Sequence, residues 1–364
     1  MTITGQGVVS REAGQPARLE ELQIGALGPG EVLVRLQASG VCHTDLHVKS
    51  GIWGGFPWLL GHEGAGIIEA VGEGVTTPAV GNSVILAWRA PCGNCRFCLR
   101  GRPHLCAASL NAEKRLRGAD GAILNPVLGI GTFCTHTVVA ARQAIPIPAA
   151  LPPEQMCLIG CGIMAGVGAA IRAAKVESGS SVAVFGCGGV GTSVIQGARL
   201  CGATTIIGVD IDPRKLRWAE ELGATHVVNA GETDPVAQIK QLTGGFGVDY
   251  SFEAVGRPET LLQALWSRDL AGTCVFIGVP APDATLTVPL PQFFDVGGSL
   301  RVSWYGDCLP TRDFPLLAEW YRTGKLKLDY PVTTRTITLD QTEEAFAAMV
   351  RGETLRSVIR LPAA

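Results

Sequence analysis

Four cysteines in one short segment could bind a metal ion. They are Cys92, Cys95, Cys98 and Cys106 in the segment PCGNCRFCLRGRPHLC, with two, two and seven residues between successive cysteines. Four thiolates satisfy a tetrahedral structural zinc ion that is closed to water. An iron–sulfur cluster is the competing interpretation, but its bacterial motif ends with a gap of about three residues and a proline, whereas Ala107 follows Cys106 here. The pattern therefore predicts a structural zinc lobe at about residues 90–108.

A glycine-rich turn could bind the phosphates of a dinucleotide. The motif G-x-G-x-x-G follows the apolar segment Ser181–Phe185 and opens a predicted helix at Gly189–Cys201, which is the setting that such a turn requires. The N-terminus of that helix offers unpaired N–H groups and the positive end of its dipole to a pyrophosphate. The residues predicted to bind the cofactor here are Gly186, Gly188, Gly189, Val190 and Gly191.

An acidic residue follows the glycine-rich turn at the distance that ribose recognition needs. Asp210 comes at the end of the next predicted strand, Thr204–Val209, 19 residues after Gly191. A carboxylate there accepts hydrogen bonds from the ribose hydroxyls and repels a 2′-phosphate, so NAD is favoured over NADP. A packing turn with a capping aspartate is the alternative. Lys215 could reach the same ribose, although a solvated helix residue would look no different.

The segments that must position these residues change in character along the chain. Residues 1–150 read as short strands and turns, whereas strands alternate with helices from about residue 175. Such alternation indicates a parallel sheet covered by helices. The sequence therefore predicts a mainly β domain, an inserted α/β domain and a C-terminal stretch that returns to the first. The predicted strands are Glu31–Cys42, Gly66–Val71, Ser83–Trp88, Ser181–Phe185, Thr204–Val209, Val227–Val228, Val248–Glu253 and Thr273–Val279; the predicted helices are Gly189–Cys201, Pro213–Leu222, Asp234–Leu242 and Glu259–Ser267.

The composition disfavours several classes of protein. Hydrophobic residues make up 47% of the 364 residues and charged residues 17%, which is too apolar for a disordered chain. A net charge of −2 gives no argument for nucleic acid or anionic membrane as a partner. The longest apolar run, Met156–Ile171, is too short and too rich in glycine to span a bilayer well. Because the chain opens without a signal-peptide pattern, its 12 cysteines are expected to be reduced thiols of a cytoplasmic protein.

Three more residues of metal-binding type stand beside glycines: Cys42 in GVCHTDLH, His62 in GHEGAG and Cys161 in GCGIMAG. Taken one at a time, each is explained by a buried cysteine or a core histidine. Together with the four-cysteine lobe, the dinucleotide motif and the pattern G-H-E-x2-G-x5-G-x2-V that starts at Gly61, they resemble the zinc-containing medium-chain alcohol dehydrogenases. The resemblance covers essentially the whole chain.

The resemblance implies a fold and a catalytic zinc site. The fold would be a GroES-like β-barrel catalytic domain, residues 1–161 and 305–364, with an inserted Rossmann domain of doubly wound parallel sheet at 162–304. Cys42, His62 and Cys161 would ligate a catalytic zinc and leave its fourth position open. Each subunit would then hold two zinc ions, and a homodimer or homotetramer is expected.

The resemblance also assigns roles to residues around that zinc. Asp45 would orient the ligating histidine, Glu63 would lie near the metal, and Thr44 and His47 would relay the proton to solvent. His43 stands where many relatives have an arginine against the pyrophosphate, and Ala165 replaces a hydroxyl residue often found near the nicotinamide. Further cofactor contacts would come from Val255, Ile277, Gly278, Val279 and Arg356, and a substrate pocket from Trp53, Trp88 and Phe133.

The expected reaction is hydride transfer from a primary alcohol to NAD. Several segments, among them WRAPCG and GETLRSVI, look most like dehydrogenases that oxidise the S-hydroxymethyl adduct of mycothiol. The same segments also resemble benzyl and other primary alcohol dehydrogenases, which need no thiol. A polar thiol adduct requires basic groups near the pocket, for which Arg89, Arg115 and Arg117 are candidates. A non-catalytic NAD-binding protein is a further alternative, and the complete set of predicted zinc ligands argues against it.

Overall fold

The computed structural model describes residues 3–148, 150–329 and 334–362. The chain forms two compact units, here called domain 1 (Met1–Cys161 with Leu309–Ala364) and domain 2 (Gly162–Cys308). The first boundary falls at the predicted residue, and the second falls at Leu309 where 305 was expected.

The strands are numbered in chain order over the described residues. They are β1 (Ile3–Ser10), β2 (Arg18–Ile24), β3 (Glu31–Gly40), β4 (Trp58–Leu59), β5 (Glu63–Val71), β6 (Ser83–Leu86), β7 (Leu116–Gly118), β8 (Asn125–Pro126), β9 (His136–Ala140), β10 (Ala144–Pro146), β11 (Ser181–Phe185), β12 (Thr205–Asp210), β13 (His226–Asn229), β14 (Val248–Glu253), β15 (Arg268–Phe276), β16 (Ser299–Val302), β17 (Thr334–Ile337) and β18 (Arg356–Arg360).

The α-helices are numbered in the same way. They are α1 (His43–Lys49), α2 (Arg96–Leu99), α3 (Pro153–Leu158), α4 (Met164–Gly168), α5 (Gly189–Leu200), α6 (Pro213–Glu221), α7 (Pro235–Leu242), α8 (Pro258–Trp266), α9 (Leu290–Val296), α10 (Pro310–Arg322) and α11 (Thr342–Val350). Two π-helical segments, Ile159–Ile163 and Ala169–Ala174, extend α3 and α4. Short 3₁₀ turns occur at Pro103–Leu105, Val127–Gly129, Ala141–Gln143, Tyr305–Asp307 and Leu339–Gln341.

Domain 1 is built on two sheets. One has the strand order β7-β2-β1-β4-β8; the other has the order β10-β6-β5-β3-β18-β17, with β9 also paired to β3. Strand β3 is almost entirely buried because β5, β9 and β18 all pair with it, and its two partly exposed residues are the polar Arg35 and Gln37. Its C-terminal end leads directly to Cys42, so the first predicted zinc ligand is attached to the most buried strand of the domain.

Domain 2 is one parallel sheet with the order β13-β12-β11-β14-β15-β16. Along β11, Val182 and Val184 belong to one hydrophobic cluster and Ala183 and Phe185 to another. Successive side chains of a strand point to opposite faces, so apolar residues cover the sheet on both sides. The strand order reverses between β11 and β14, which is where doubly wound sheets of this kind bind dinucleotides. The predicted inserted α/β domain is confirmed.

One helical run among the described residues, Pro153–Ala174, is long and apolar enough to cross a membrane. Within its most apolar window, 78% is buried inside the structure, as in the core helix of a folded domain. The sequence analysis does not predict this run as a helix, because its several glycines disfavour one, although Pro153 and Glu154 are helix-start signals in its first turn.

The predicted elements of domain 2 match the observed ones closely, with two informative differences. The predicted helix at Asp234–Leu242 begins one residue later, because Asp234 is its N-cap and accepts a hydrogen bond from the Val236 N–H at 2.9 Å. The predicted strand Thr273–Val279 is wrong at both ends, since β15 starts at Arg268 and stops at Phe276. Its last three predicted residues form a loop that leaves the sheet.

Candidate functional site

Four side chains of domain 1 converge on one point. Cys42, His62, Glu63 and Cys161 each offer a ligand atom, and these atoms all lie within 4.8 Å of one another. The structure thus brings together the three residues expected to ligate a catalytic zinc and places Glu63 with them. Two thiolates and one imidazole are the ligands that alcohol dehydrogenases use for catalytic zinc.

Local structure explains how these residues reach each other. Cys42 is the N-cap of α1 directly after β3, and His62 immediately precedes β5, which pairs with β3. Cys161 lies in the π-helical segment Ile159–Ile163. Single π turns are rare and occur mostly at functional sites, so the irregular winding of this helix is consistent with a ligating residue.

The His62 ring is held by a buried carboxylate. Asp45 Oδ1 lies 3.1 Å from His62 Nδ1 and also accepts a hydrogen bond from the Gly61 N–H at 2.9 Å. With Nδ1 donating to Asp45, Nε2 carries the lone pair, and this buried atom has no hydrogen-bond partner among the described residues. An unpartnered, oriented nitrogen beside two thiols fits a zinc ligand.

The charges of the site depend on one another. Burial by itself lowers the pKa of His62, but the Asp45 carboxylate and the Cys42 sulfur together outweigh this and raise the pKa well above its ordinary value. The hydrogen bond between the two thiols lowers the pKa of Cys42 and raises that of Cys161. A cation bound among these groups would favour thiolate at both cysteines.

Arg356 pairs with Glu63. Its Nη2 donates to Glu63 Oε2, and both side chains are buried. Burial raises the pKa of Glu63, and the Arg356 guanidinium opposes that rise. The sequence analysis expected Arg356 to contact the cofactor and did not foresee this ion pair, which joins residues 293 positions apart.

The expected relay residues lie on the helix that starts at Cys42. Thr44 Oγ1 is 3.8 Å from Cys42 Sγ. His47 follows one turn later and is partly exposed, and residues three apart on a helix lie on the same face. His43 is exposed at the first position of the same helix.

The four-cysteine lobe is a second, separate cluster in domain 1. Cys92, Cys95, Cys98 and Cys106 also hold their sulfur atoms within 4.8 Å of one another. N–H groups of Cys98 and Ala107 donate to Cys95 and lower its pKa to about 6, which favours the thiolate that a metal needs. Four thiolates closed around one point fit a structural zinc ion.

Arg89 anchors this lobe rather than facing a substrate. The side chain is buried, and its Nη2 donates to the Cys106 carbonyl oxygen. Arg115 is bound to Glu31 at 2.9 Å, and Arg117 donates to the Gly121 carbonyl at 3.0 Å. All three arginines expected as candidates for a polar substrate therefore have intramolecular partners.

The aromatic residues expected in a substrate pocket differ in their surroundings. Trp53 is 46% exposed and meets Trp58 edge-on at 6.4 Å between ring centroids. Trp88 follows the end of β6 and is partly buried. Phe133 has no exposed surface and packs against Phe346 in the hydrophobic core, so we correct its assignment: it is a core residue and not part of an open pocket.

The glycine-rich turn of domain 2 lies between β11 and α5. A Cβ at Gly191 would overlap the Gly186 carbonyl oxygen, whereas no described atom lies within 4 Å of the corresponding position at Gly188. The third glycine is thus needed for close packing, and the second leaves space where a phosphate can approach the backbone. Gly189 and Val190 lie between these two glycines and begin the first turn of α5. This cradle fits a dinucleotide pyrophosphate.

Asp210 is held at the end of β12. Its Oδ2 accepts a hydrogen bond from Cys187 N at 2.8 Å, and its Oδ1 accepts from Ile211 N at 2.8 Å and from Asp212 N at 3.0 Å. The carboxylate is therefore fixed beside the glycine-rich turn, which suits recognition of an adjacent ribose. Lys215 lies in the first turn of α6 and is partly buried.

The remaining expected cofactor contacts follow two neighbouring strands. Val255 comes after β14, and Ile277, Gly278 and Val279 come after β15. Both loops depend on Glu253, a buried residue that the sequence analysis missed. The available signal was a carboxylate at the end of a predicted strand of the parallel sheet, where a buried charge is rare.

Comparison with known proteins agrees with this arrangement. The sequence matches the family models "Alcohol dehydrogenase GroES-like domain" over residues 28–149 and "Zinc-binding dehydrogenase" over residues 189–323. These matches confirm the predicted GroES-like and Rossmann fold.

Three solved structures are similar over nearly the whole chain. An alcohol dehydrogenase zinc-binding domain protein from Burkholderia ambifaria is 37% identical, with a TM-score of 0.94 and 100% of both chains covered. Benzyl alcohol dehydrogenase from Acinetobacter calcoaceticus is 32% identical, with a TM-score of 0.92 over 99% of this chain and 100% of that one. A protein described as a zinc-binding dehydrogenase from Sinorhizobium meliloti 1021, solved with NADP, is 26% identical, with a TM-score of 0.83 over 99% of this chain and 100% of that one. The chain therefore belongs to the zinc-binding medium-chain alcohol dehydrogenase family.

Proposed function

We propose that this protein oxidises a primary alcohol and transfers its hydride to NAD. The observation that carries the proposal is the buried cluster of Cys42, His62 and Cys161, in which His62 Nε2 is oriented and has no hydrogen-bond partner among the described residues. Three protein ligands with an open fourth position are typical of catalytic rather than structural zinc. Zinc bound there would act as a Lewis acid and lower the pKa of a hydroxyl group.

The residues around the cluster have separable roles. Asp45 orients His62, and Arg356 holds one oxygen of Glu63. Thr44 Oγ1, beside Cys42, would take the proton that the alcohol releases, and the His47 ring would pass it to solvent. His43 and Arg356 remain proposed contacts of the cofactor pyrophosphate. The four-cysteine lobe would hold the second, structural zinc ion.

We propose NAD rather than NADP as the cofactor. The support is Asp210, whose carboxylate is fixed beside the glycine-rich turn and would repel a 2′-phosphate. Lys215 would assist at the same ribose. The values of kcat/KM for the two cofactors test this directly, and comparable values would contradict the proposal.

The substrate that we favour is an aromatic or other primary alcohol with no thiol partner. The arginines that a thiol adduct would need are engaged elsewhere: Arg89 with the zinc lobe, Arg115 with Glu31 and Arg117 with a backbone carbonyl. The partly exposed Trp53 and Trp88 supply apolar surface instead. The 32% identity to a benzyl alcohol dehydrogenase supports the same choice.

The mycothiol adduct of formaldehyde is the second candidate, supported by the resemblance of several sequence segments. A substrate panel read by NADH absorbance separates the two. Efficient oxidation of benzyl alcohol or hexanol, with no gain from added mycothiol, supports the general alcohol dehydrogenase. Turnover that requires formaldehyde and mycothiol together would overturn it, because a site built for polar groups rejects substrates that lack them by orders of magnitude.

A further inference from the structure

Glu253 is a buried acid that belongs to neither cysteine cluster and is not among the residues expected to contact the cofactor. It ends β14, one of the two strands at the switch point of the domain 2 sheet, and its side chain has no exposed surface. Burial raises the pKa of its carboxyl, and hydrogen bonds from Thr260 and from backbone N–H groups oppose the rise. A buried carboxylate is costly unless its hydrogen bonds are satisfied, so these partners indicate what it is for.

The carboxylate of Glu253 fixes the loop that follows its own strand. Its Oε1 accepts hydrogen bonds from Val255 N at 2.9 Å, Gly256 N at 2.8 Å and the Thr260 hydroxyl at 2.7 Å. Its Oε2 accepts a second bond from Gly256 N at 3.1 Å. One side chain therefore ties loop 254–256 to the first turn of α8.

The backbone carbonyl of the same residue fixes the neighbouring loop. Ile277 N donates to Glu253 O at 2.9 Å, and Gly278 N donates to the same oxygen at 3.1 Å. Because two successive N–H groups converge on one acceptor, the regular pairing of β15 stops at Phe276 and the chain leaves the sheet.

The two loops also touch. Gly256 has a φ of +88°, a conformation that favours glycine. A Cβ at Gly278 would overlap the backbone of Gly256. Residues 254–256 and 277–279 are therefore set as one unit by Glu253.

This unit presents apolar side chains at the carboxyl edge of the sheet. Val255 is 45% exposed and Val279 is 62% exposed, after β14 and β15 respectively. Asp210, the last residue of β12, marks the adenosine side of the switch point, so a dinucleotide lying across it directs its other half toward β14 and β15. Exposed valines there offer a packing surface for a flat aromatic ring.

We propose that Glu253 is the positioning residue for the nicotinamide ring, because its carboxylate fixes loop 254–256 and, through the close packing of Gly256 on Gly278, supports loop 277–279, which its backbone carbonyl also holds. The proposal rests on the proposed NAD-dependent function. It implies that loss of the carboxylate loosens the nicotinamide end of the site and leaves the adenosine and pyrophosphate end intact.

ADP-ribose provides the test, because it shares the adenosine, pyrophosphate and ribose of NADH but lacks nicotinamide. Dissociation constants for NADH and ADP-ribose are measured with the full-length, zinc-loaded protein and its variants Glu253→Ala, Glu253→Gln and Thr260→Val. Phe252→Leu is the matched control, because Phe252 is a buried residue of the same strand that lies in a hydrophobic cluster. It should destabilise domain 2 without touching either loop.

The proposal expects a selective effect. In Glu253→Ala the Kd for NADH should rise about tenfold or more, since misplaced binding groups lose such factors, while the Kd for ADP-ribose stays within about threefold. Glu253→Gln retains an oxygen for the three bonds at Oε1 but presents an amide donor toward Gly256. The Kd for NADH should therefore rise less than in Glu253→Ala, and the Kd for ADP-ribose should again stay nearly unchanged. Thr260→Val keeps the hydrogen bonds between Glu253 and both loops. It should change the Kd of neither NADH nor ADP-ribose by more than about twofold.

Other results would overturn the proposal. If Glu253→Ala and Glu253→Gln both leave NADH binding unchanged, or weaken NADH and ADP-ribose equally, Glu253 has no specific role at the nicotinamide. If Glu253→Ala does not fold, the Gln variant decides by the same criterion. A wild-type protein that binds neither NADH nor ADP-ribose would instead contradict the proposed NAD-dependent function, on which the proposal rests.

Discussion

Asp45 Oδ1 bridges the ring and the backbone of the His62 segment, lying 3.1 Å from His62 Nδ1 and 2.9 Å from the Gly61 nitrogen. Asp45 and His62 have no exposed surface. The carboxylate thereby selects the ring tautomer and fixes the direction of Nε2. A partner of this kind is a large part of what makes a histidine a good metal ligand.

Replacing Asp45 should therefore weaken the catalytic zinc site selectively. We expect Asp45→Asn to lower zinc affinity at this site by about 10–100-fold, with the structural zinc retained. Zinc retention against a competing chelator measures it. Asp313→Asn, a change at another buried aspartate of domain 1, is the control and should keep both ions. Equal zinc affinity in Asp45→Asn and wild type would show that Asp45 does not orient a ligand.

The two cysteine clusters should respond differently to loss of one thiol. Cys42→Ser should leave a folded protein with one zinc ion and no turnover, because its site has three protein ligands. Cys95→Ser should lower thermal stability or solubility, because four thiolates hold the lobe together. Metal content and unfolding temperature are measured together. Cys201→Ser, at a cysteine outside both clusters, should retain two zinc ions, and near-normal turnover of Cys42→Ser would refute the catalytic site.

Cofactor preference should depend on the carboxylate of Asp210. Asp210→Ala should raise the KM for NAD. The ratio of kcat/KM for NAD to that for NADP should fall by about 10–100-fold, because a charge-assisted hydrogen bond to the ribose and the repulsion of a 2′-phosphate are both lost. Steady-state kinetics with both cofactors check this. Asp234→Ala removes the N-cap carboxylate of α7 in the same domain and should leave the NAD/NADP ratio unchanged. The same ratio in Asp210→Ala and wild type would exclude ribose recognition by this residue.

The proton relay should depend on His47. His47→Gln should slow alcohol oxidation by about a hundredfold, the contribution of a positioned general base, most strongly below neutral pH, where other bases are scarce. Added imidazole should restore part of the rate. The rate is followed as NADH absorbance over a range of pH, with His226→Gln, at an exposed histidine of domain 2, as control. If His47→Gln and wild type had the same rate at every pH, His47 would take no part in proton transfer.

Domain 1 should lose stability in acid partly through Glu31. Burial by itself raises the pKa of this carboxyl, but hydrogen bonds from Arg115 and from the Gly28 and Glu113 N–H groups outweigh it and lower the pKa. A lowered folded-state pKa stabilises the protein above the unfolded-state pKa, and this stabilisation disappears as pH falls through the folded-state value.

Glu31→Gln tests this expectation. The variant should cost about 1–3 kcal/mol of unfolding free energy at neutral pH, and its difference from wild type should shrink in acid. Denaturant unfolding at several pH values measures both. Glu319→Gln breaks an exposed pair with Arg322 and should leave the unfolding free energy nearly unchanged, because water and salt screen such a pair. A pH-independent difference for Glu31→Gln would contradict the assigned cause.

Sites made from neighbouring residues could be predicted from the sequence. Cys92 to Cys106 lie within one loop, and Gly186 to Gly191 lie within one turn. The spacing of these residues in the sequence is therefore enough to predict what each site binds. Strands of domain 2 such as Ser181–Phe185 were equally accessible, because a buried parallel strand is a short apolar run between turn signals. The catalytic cluster was reached only by resemblance, since no spacing rule links Cys42, His62 and Cys161.

Contacts between distant residues were decided by the tertiary structure. Arg356 reaches Glu63 because β18 pairs with β3, which in turn pairs with β5. Phe133 fills the core and Arg89 anchors the zinc lobe, although their residue types fit a pocket equally well. A residue's type and its neighbours in sequence establish what chemistry its side chain can perform. Which partner it meets depends on strand pairing and packing across the whole domain, and such long-range pairing leaves no local pattern in the chain.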